Sequence, residues 1–247
     1  MANNVAESGA TPASQGSLSL VSRFIGIVTS PKATFQAVVA HPTWLGMLVL
    51  VTLIIAVGVT MPLTTEAGRR AQLDQQVDAM ENFGVQVTDE MYTRMEQGSR
   101  RAPITTFISI LVVGPIMSLI IGGILFGVFT IFMGGQASFK TFFAVYVHST
   151  VVTAAPQFLL GPFNYFRGSM TSATNLAVLL PMLDERSFIG RLFGMIDLFW
   201  IWWLIVLAIG LGVLYRRRTQ GIAFALFGVY AVCIVAIAAV MSMFGRS

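Results

Sequence analysis

The stretch MIDLFWIWWLIVLAIGLGVLY occupies residues 195–215 and is followed directly by Arg216, Arg217 and Arg218. An α-helix rises 1.5 Å per residue, so a run of about 20 apolar residues covers the roughly 30 Å of hydrocarbon in a bilayer. The stretch therefore predicts a transmembrane helix. The three arginines mark its end at a headgroup surface, most naturally the cytoplasmic one, and are candidate lipid-headgroup contacts.

The composition agrees with a membrane protein. Of the 247 residues, 55% are hydrophobic and only 11% are charged, whereas soluble domains carry about 25% charged residues. The formal net charge of +4 does not indicate nucleic-acid binding, because the basic residues are scattered and their one compact cluster, residues 216–218, adjoins a span. The single cysteine, Cys233, lies in an apolar run and excludes a disulfide framework.

Hydrophobic periodicity predicts an all-α membrane protein. Residues 1–17 are polar, so we expect a disordered tail without a cleavable signal peptide. Residues 18–43 predict two short amphipathic helices at the membrane interface, the second with Lys32 toward water. The membrane domain then extends over residues 44–246 and contains five predicted spans, at 44–63, 104–133, 141–163, 190–215 and 221–244.

Between the first two spans lies a polar insertion, residues 64–103. Thr65 and Thr88 are suitable caps for two short helices, which predicts an extramembrane helical hairpin. In the second span, Gly114 and Pro115 predict a kink. Gly122, Gly123 and Gly127 follow with the small-xxx-small spacing that lets helices approach closely, so we expect them to mediate helix packing.

The third predicted span carries a polar stripe. Ser149, Thr153 and Gln157 recur every four residues, and His148 lies beside them. Such a stripe either forms hydrogen bonds between helices or lines a hydrated path. The sequence leaves both interpretations open.

Asp197 is the one carboxylate inside a predicted span, where an isolated charge costs roughly 2.5–3.5 kcal/mol. It must therefore face protein or water. By helical rise it lies roughly 13 Å below its end of the membrane, Gln157 roughly 9 Å and His148 roughly 22 Å. Asp197 can then meet Gln157 but not His148, and forms either an interhelical hydrogen bond or part of a polar path.

Five spans place the termini on opposite sides of the membrane. Outside the insertion, six basic residues fall on the N-terminal side and four on the other. We therefore expect a multi-pass protein of the cell membrane with its N terminus in the cytoplasm and its C terminus outside.

Four stretches carry a family resemblance. They are FIGIVTSPKATF at 24–35, GGQASFKTFFAV at 134–145, LLPMLDERS at 179–187 and IDLFWIWWLIVLAIGL at 196–211. Together they resemble the Yip family of Rab-interacting (Ypt-interacting) membrane proteins, in its bacterial branch. The resemblance implies five spans, a cytoplasmic N terminus and no known catalytic residues. Its eukaryotic members bind small GTPases and shape membranes in vesicle trafficking.

Two functions follow as hypotheses. The first is a non-enzymatic scaffold or adaptor whose partners are the lipid bilayer and either a protein or a second copy of the chain. The alternative is a small-solute or ion transporter or channel with a polar path near Asp197 and Gln157. An enzyme is not expected, because the sequence has no H-E-x-x-H motif and no pair of spans that each bear an aspartate. We accordingly predict no catalytic, cofactor-binding or metal-binding residues.

Overall fold

The computed structural model describes residues 18–134, 136–167, 174–180, 182 and 187–244. The tail predicted for residues 1–17 lies outside the described residues. The helices are α1 (Leu20–Thr29), α2 (Pro31–Ala40), α3 (Leu45–Leu63), α4 (Glu66–Asn82), α5 (Asp89–Ser99), α6 (Ala102–Met133), α7 (Phe139–Ser149), α8 (Val151–Arg167), α9 (Phe188–Met195), α10 (Leu198–Tyr215) and α11 (Thr219–Phe244), with a 3-10 turn at Leu176–Leu179. The prediction of an all-α membrane protein is confirmed.

Four helices of the described chain are long and apolar enough to cross a bilayer, namely α3, α6, α10 and α11. The third predicted span, 141–163, is instead divided between α7 and α8 at Thr150. Around this point the hydroxyls of Ser149, Thr150 and Thr153 each donate to a carbonyl three residues earlier. These bonds compete with the helical ladder and tighten the turn.

The bundle has a packed centre and two outer helices. Helix α3 packs against α6 and α8, while α10 packs against α2, α7, α8 and α11. The most exposed spans are α6 and α11, of which only 6% and 17% is buried. Lipid must therefore cover most of their apolar surface, because uncovered apolar side chains are unfavourable in water.

The two N-terminal helices differ in what they bury. Helix α1 begins after Ser19, whose side chain accepts a hydrogen bond from the backbone N–H of Ser22, and leaves Val21 and Ile25 exposed. This exposed apolar face agrees with a helix at the membrane interface. Helix α2 packs more deeply, since Phe35 and Val38 are completely buried against the bundle. The interfacial position of the two helices stays a prediction.

The polar insertion forms the helical hairpin α4–α5. Thr65 and Thr88 cap the two helices by accepting hydrogen bonds from Gly68 N (3.0 Å) and Met91 N (3.3 Å). Satisfying these otherwise unpaired donors stabilises each helix start. Helix α4 contacts α3 and α11, so the hairpin lies at the end of the bundle where α3 and α11 finish.

Candidate intramembrane polar site and arginine turn

Ser149 links two helices at the centre of the bundle. Its side chain is fully buried, and its hydroxyl donates to Tyr146 O at 2.6 Å while accepting from the indole Nε1 of Trp203 at 3.0 Å. Both polar groups are thus satisfied inside the protein, as buried groups require. At this residue the polar stripe joins α7 to α10 rather than forming an open surface.

The other two members of the stripe lie on α8. The Thr153 hydroxyl donates to Thr150 O at 2.7 Å. Gln157 packs so tightly on Gly58 of α3 that a Cβ built on the glycine would lie 2.6 Å from the glutamine Cβ. Ser149 and Gln157 therefore both face neighbouring helices, and Gly58 is what lets α3 and α8 approach each other.

His148 is buried beside a charged residue from α1. Its Nδ1 lies 2.7 Å from Ala144 O, and only 1% of the residue is exposed. It lines a cleft of about 490 Å³ together with Arg23, His41 and Thr43. The Arg23 guanidinium donates to the Thr43 hydroxyl, which ties α1 to the start of α3.

Asp197 lies at the start of a span rather than within one. Helix α9 ends at Met195, Ile196 and Asp197 are extended, and α10 begins at Leu198. One carboxylate oxygen of Asp197 accepts from Phe199 N at 2.8 Å, which makes Asp197 the N-cap of α10. Aspartate is favoured here because it satisfies an unpaired helix N–H and complements the helix dipole.

The second oxygen of Asp197 anchors a loop. It accepts a hydrogen bond from the Thr174 hydroxyl. The backbones pair as well, with Leu176 N donating to Ile196 O (2.9 Å) and Leu198 N to Thr174 O (3.1 Å). The expected meeting of Asp197 with Gln157 is therefore wrong in the described structure, because the chain breaks at Ile196 and turns the carboxylate toward this loop.

The three glycines singled out in α6 are not equivalent. A Cβ on Gly122 would lie 2.8 Å from Phe143 Cδ2, so this glycine permits contact between α6 and α7. Around Gly123 and Gly127, by contrast, no atom of the described residues lies within 4 Å of such a Cβ. Of these three glycines, only Gly122 packs against another helix of the described residues.

Arg216, Arg217 and Arg218 form the turn between α10 and α11 and are exposed. Arg216 adopts the left-handed conformation (φ 53°, ψ 40°), and Arg217 N donates to Gly212 O at 3.1 Å. This arrangement closes the C-terminus of α10 in the way that a glycine usually does.

The family model of the Yip1 domain matches residues 25–241. The chain belongs to the Yip1 domain family. Comparison with curated proteins and with solved structures gave no match. The match spans every helix from α2 to α10, so it includes the contacts of Ser149, Gln157 and Asp197, whereas Arg23 lies just before its first residue.

The bundle also contains structural residues that sequence reasoning missed. Phe35 of α2 inserts beside Gly210 of α10, where a Cβ would lie 2.6 Å from Val145 Cγ1 and 3.0 Å from the phenyl ring. Arg23, 6% exposed, shares the buried face of α1 with Ile27. The spacing i, i+4 of Arg23 and Ile27 was an available signal, but an arginine is normally assigned to the solvated face. No group of residues suited to a metal ion is found within the described ranges.

Proposed function

We propose that this Yip1 domain protein is a non-enzymatic membrane scaffold or adaptor of the bacterial branch that the motifs resemble. The observation that carries the proposal is the exposed hairpin α4–α5, which extends from a compact helical bundle. The bundle supplies a fixed membrane anchor, and the hairpin supplies a surface for a partner.

The tip of the hairpin is apolar although it lies outside the spans. Phe83 is 51% exposed and Val85 is 43% exposed, while Tyr92 of α5 is 39% exposed. Phe83 caps α4, and Gly84 follows with φ 78°, a conformation that glycine adopts readily. Aromatic side chains are enriched at the centres of protein interfaces. The exposed tip therefore favours a binding role.

The charge of the hairpin favours a protein over a lipid surface as the partner. Residues 64–101 contain seven acidic residues and five arginines. Anionic headgroups repel a surface with net negative charge. A protein with an apolar pocket bordered by basic side chains complements the tip and its surroundings.

The interior of the bundle supports the same proposal. Ser149 and Trp203 bond to each other, Gln157 packs on Gly58, and Asp197 caps a helix. These side chains hold the helices together, so no observation on the described residues favours the transport alternative.

We also propose that the protein resides in the cell membrane with its arginine turn in the cytoplasm. Lys32, Lys140 and Arg216–Arg218 follow or precede the ends of spans on one side of the bundle. An excess of basic residues in short loops sets this orientation. The hairpin then lies on the opposite side.

The test is to place charge on the apolar tip. We expect the double substitution Phe83→Asp/Val85→Asp to lower the recovery of a cross-linked partner at least tenfold, because burying a carboxylate in an apolar pocket is costly. Gln76→Glu, at an exposed position of α4, is the matched control for added charge and should leave recovery unchanged. Quantitative mass spectrometry of cross-linked membranes measures how much partner each variant recovers relative to the parent protein. A partner recovered equally well by all three proteins contradicts the proposal, as does the absence of any stoichiometric partner.

A further inference from the structure

A basic cleft lies between α2 and the turn that joins α10 to α11. It has a volume of about 870 Å³ and opens to the surface of the protein. Its lining includes four cations, Lys32 of α2 and Arg216–Arg218 of the turn. The apolar part of the lining includes Val39, Ile209 and Val213.

Among the described residues, the four cations have no acidic neighbour in the lining of the cleft. The ion pairs Arg70–Glu66 and Arg94–Glu90 both lie in the hairpin, at the other end of the bundle. Four like charges around one cavity repel each other, and an anion relieves that repulsion. The cleft is therefore complementary to a phosphate group.

The position of the cleft identifies the source of that phosphate. The cations lie just beyond Tyr215, where the span α10 ends, which is the level of the headgroups. Ile209 lies six positions before Tyr215, or roughly 9 Å deeper by helical rise, on the part of α10 that crosses the hydrocarbon. A phospholipid contacts both the charged and the apolar part of the lining, whereas a free phosphate contacts only the charged part.

The backbone of the turn adds an independent argument. Arg216 has φ 53°, a conformation that disfavours any side chain with a Cβ and that glycine adopts without strain. The chain thus retains an arginine at a position where glycine suits the fold better. Strained residues of this kind concentrate at functional sites.

We propose that this cleft binds one anionic phospholipid, with its phosphate among Lys32 and the three arginines and an acyl chain along Val39, Ile209 and Val213. The bound lipid bridges α2 to the α10–α11 turn. This role is separate from the hairpin, which lies at the other end of the bundle.

Native mass spectrometry of the full chain in mild detergent tests the proposal. Titration with phosphatidylglycerol and with phosphatidylcholine of identical acyl chains gives the Kd of the first bound lipid. We expect phosphatidylglycerol to bind at least tenfold tighter. Lys32→Gln should weaken the binding of phosphatidylglycerol about fivefold, which is the equivalent of one headgroup contact. Lys140→Gln removes an exposed lysine at the same end that does not line the cleft, and should change the Kd less than twofold.

Arg216→Gly is a second variant that leaves α2 unchanged, so a folding defect in α2 cannot explain its effect. It should raise the Kd for phosphatidylglycerol about fivefold. The thermal midpoint should stay unchanged or rise, because glycine suits the left-handed conformation. Equal binding of the two lipids, or an equal effect of Lys32→Gln and Lys140→Gln, overturns the proposal. Displacement of the lipid by millimolar inorganic phosphate would identify a free anion as the occupant and overturn it as well.

Discussion

At the scale of single residues, the bond between Trp203 and Ser149 shows how this bundle uses polar groups. The indole N–H of α10 and the hydroxyl of α7 are both buried, and each satisfies the other at 3.0 Å. Removing one partner leaves a buried polar atom without a hydrogen bond, which costs more than the bond itself contributes. The pair therefore fixes the relative position of two helices.

We expect Ser149→Ala to lower the free energy of unfolding by about 1 kcal/mol, since interhelical hydrogen bonds in membranes average about 0.6 kcal/mol and reach about 1.7. Ser242→Ala is the matched control, because the Ser242 hydroxyl donates only to Ala239 O of its own helix. Unfolding by sodium dodecyl sulfate in bicelles measures the free energy of unfolding of both variants. Equal losses in the two variants would show that the Trp203 contact contributes nothing.

The sequence predicted that Asp197 needs a polar partner, but it indicated Gln157 rather than Thr174. Apart from Asp197, residues 195–215 are apolar or glycine. Hydropathy alone therefore does not indicate the break at Ile196. Aspartate before an apolar run is also an N-cap signal, and that signal identifies the correct start of α10. The partner Thr174 lies 23 residues earlier in a loop, a distance that helical spacing cannot connect.

At the scale of helices, two neighbouring glycines of α6 have different environments. Gly122 faces Phe143 and Tyr146 of α7, whereas Gly123 faces open space within the described structure. The sequence predicted the helix correctly. It could not predict the packed side, because α6 is apolar all round and has no polar face that marks its orientation. Only contacts with α3 and α7 determine it.

We expect Gly122→Ala to destabilise the protein by about 1–3 kcal/mol, because a Cβ 2.8 Å from Phe143 Cδ2 overpacks the contact between α6 and α7. Gly123→Ala should be neutral or slightly stabilising, since alanine has the higher helix propensity. Thermal unfolding in detergent compares the two variants. A loss at Gly123 equal to that at Gly122 would show that a second surface, such as another copy of the chain, covers Gly123.

At the scale of the whole molecule, charge is divided between the two ends of the bundle. The end where α3 begins and α10 finishes carries the basic residues Arg23, Lys32, Lys140 and Arg216–Arg218. The sequence has no acidic residue between positions 8 and 65 or between 97 and 183. The hairpin at the other end carries acidic and basic residues in mixture. This division supports the proposed orientation.

The orientation is tested by single cysteines in a Cys233→Ser background. We expect a membrane-impermeant maleimide to label Gln97→Cys in the hairpin of intact cells. Gln136→Cys, between α6 and α7, should react only after the membrane is permeabilised, because it lies at the basic end. Labelling in the reverse order would contradict a cytoplasmic arginine turn.

Helices of unequal length have a consequence for the surrounding lipid. Helix α6 has 32 residues and α10 has 18, which correspond to about 48 Å and about 27 Å along their axes. The hydrocarbon layer is about 30 Å thick, so α6 must tilt, thicken the bilayer or protrude, while α10 matches a thinner one. Because both helices pack on α7, one small bundle imposes two hydrophobic thicknesses on the membrane around it. Bilayer thickness thus becomes a property by which cells can sort this protein among their membranes.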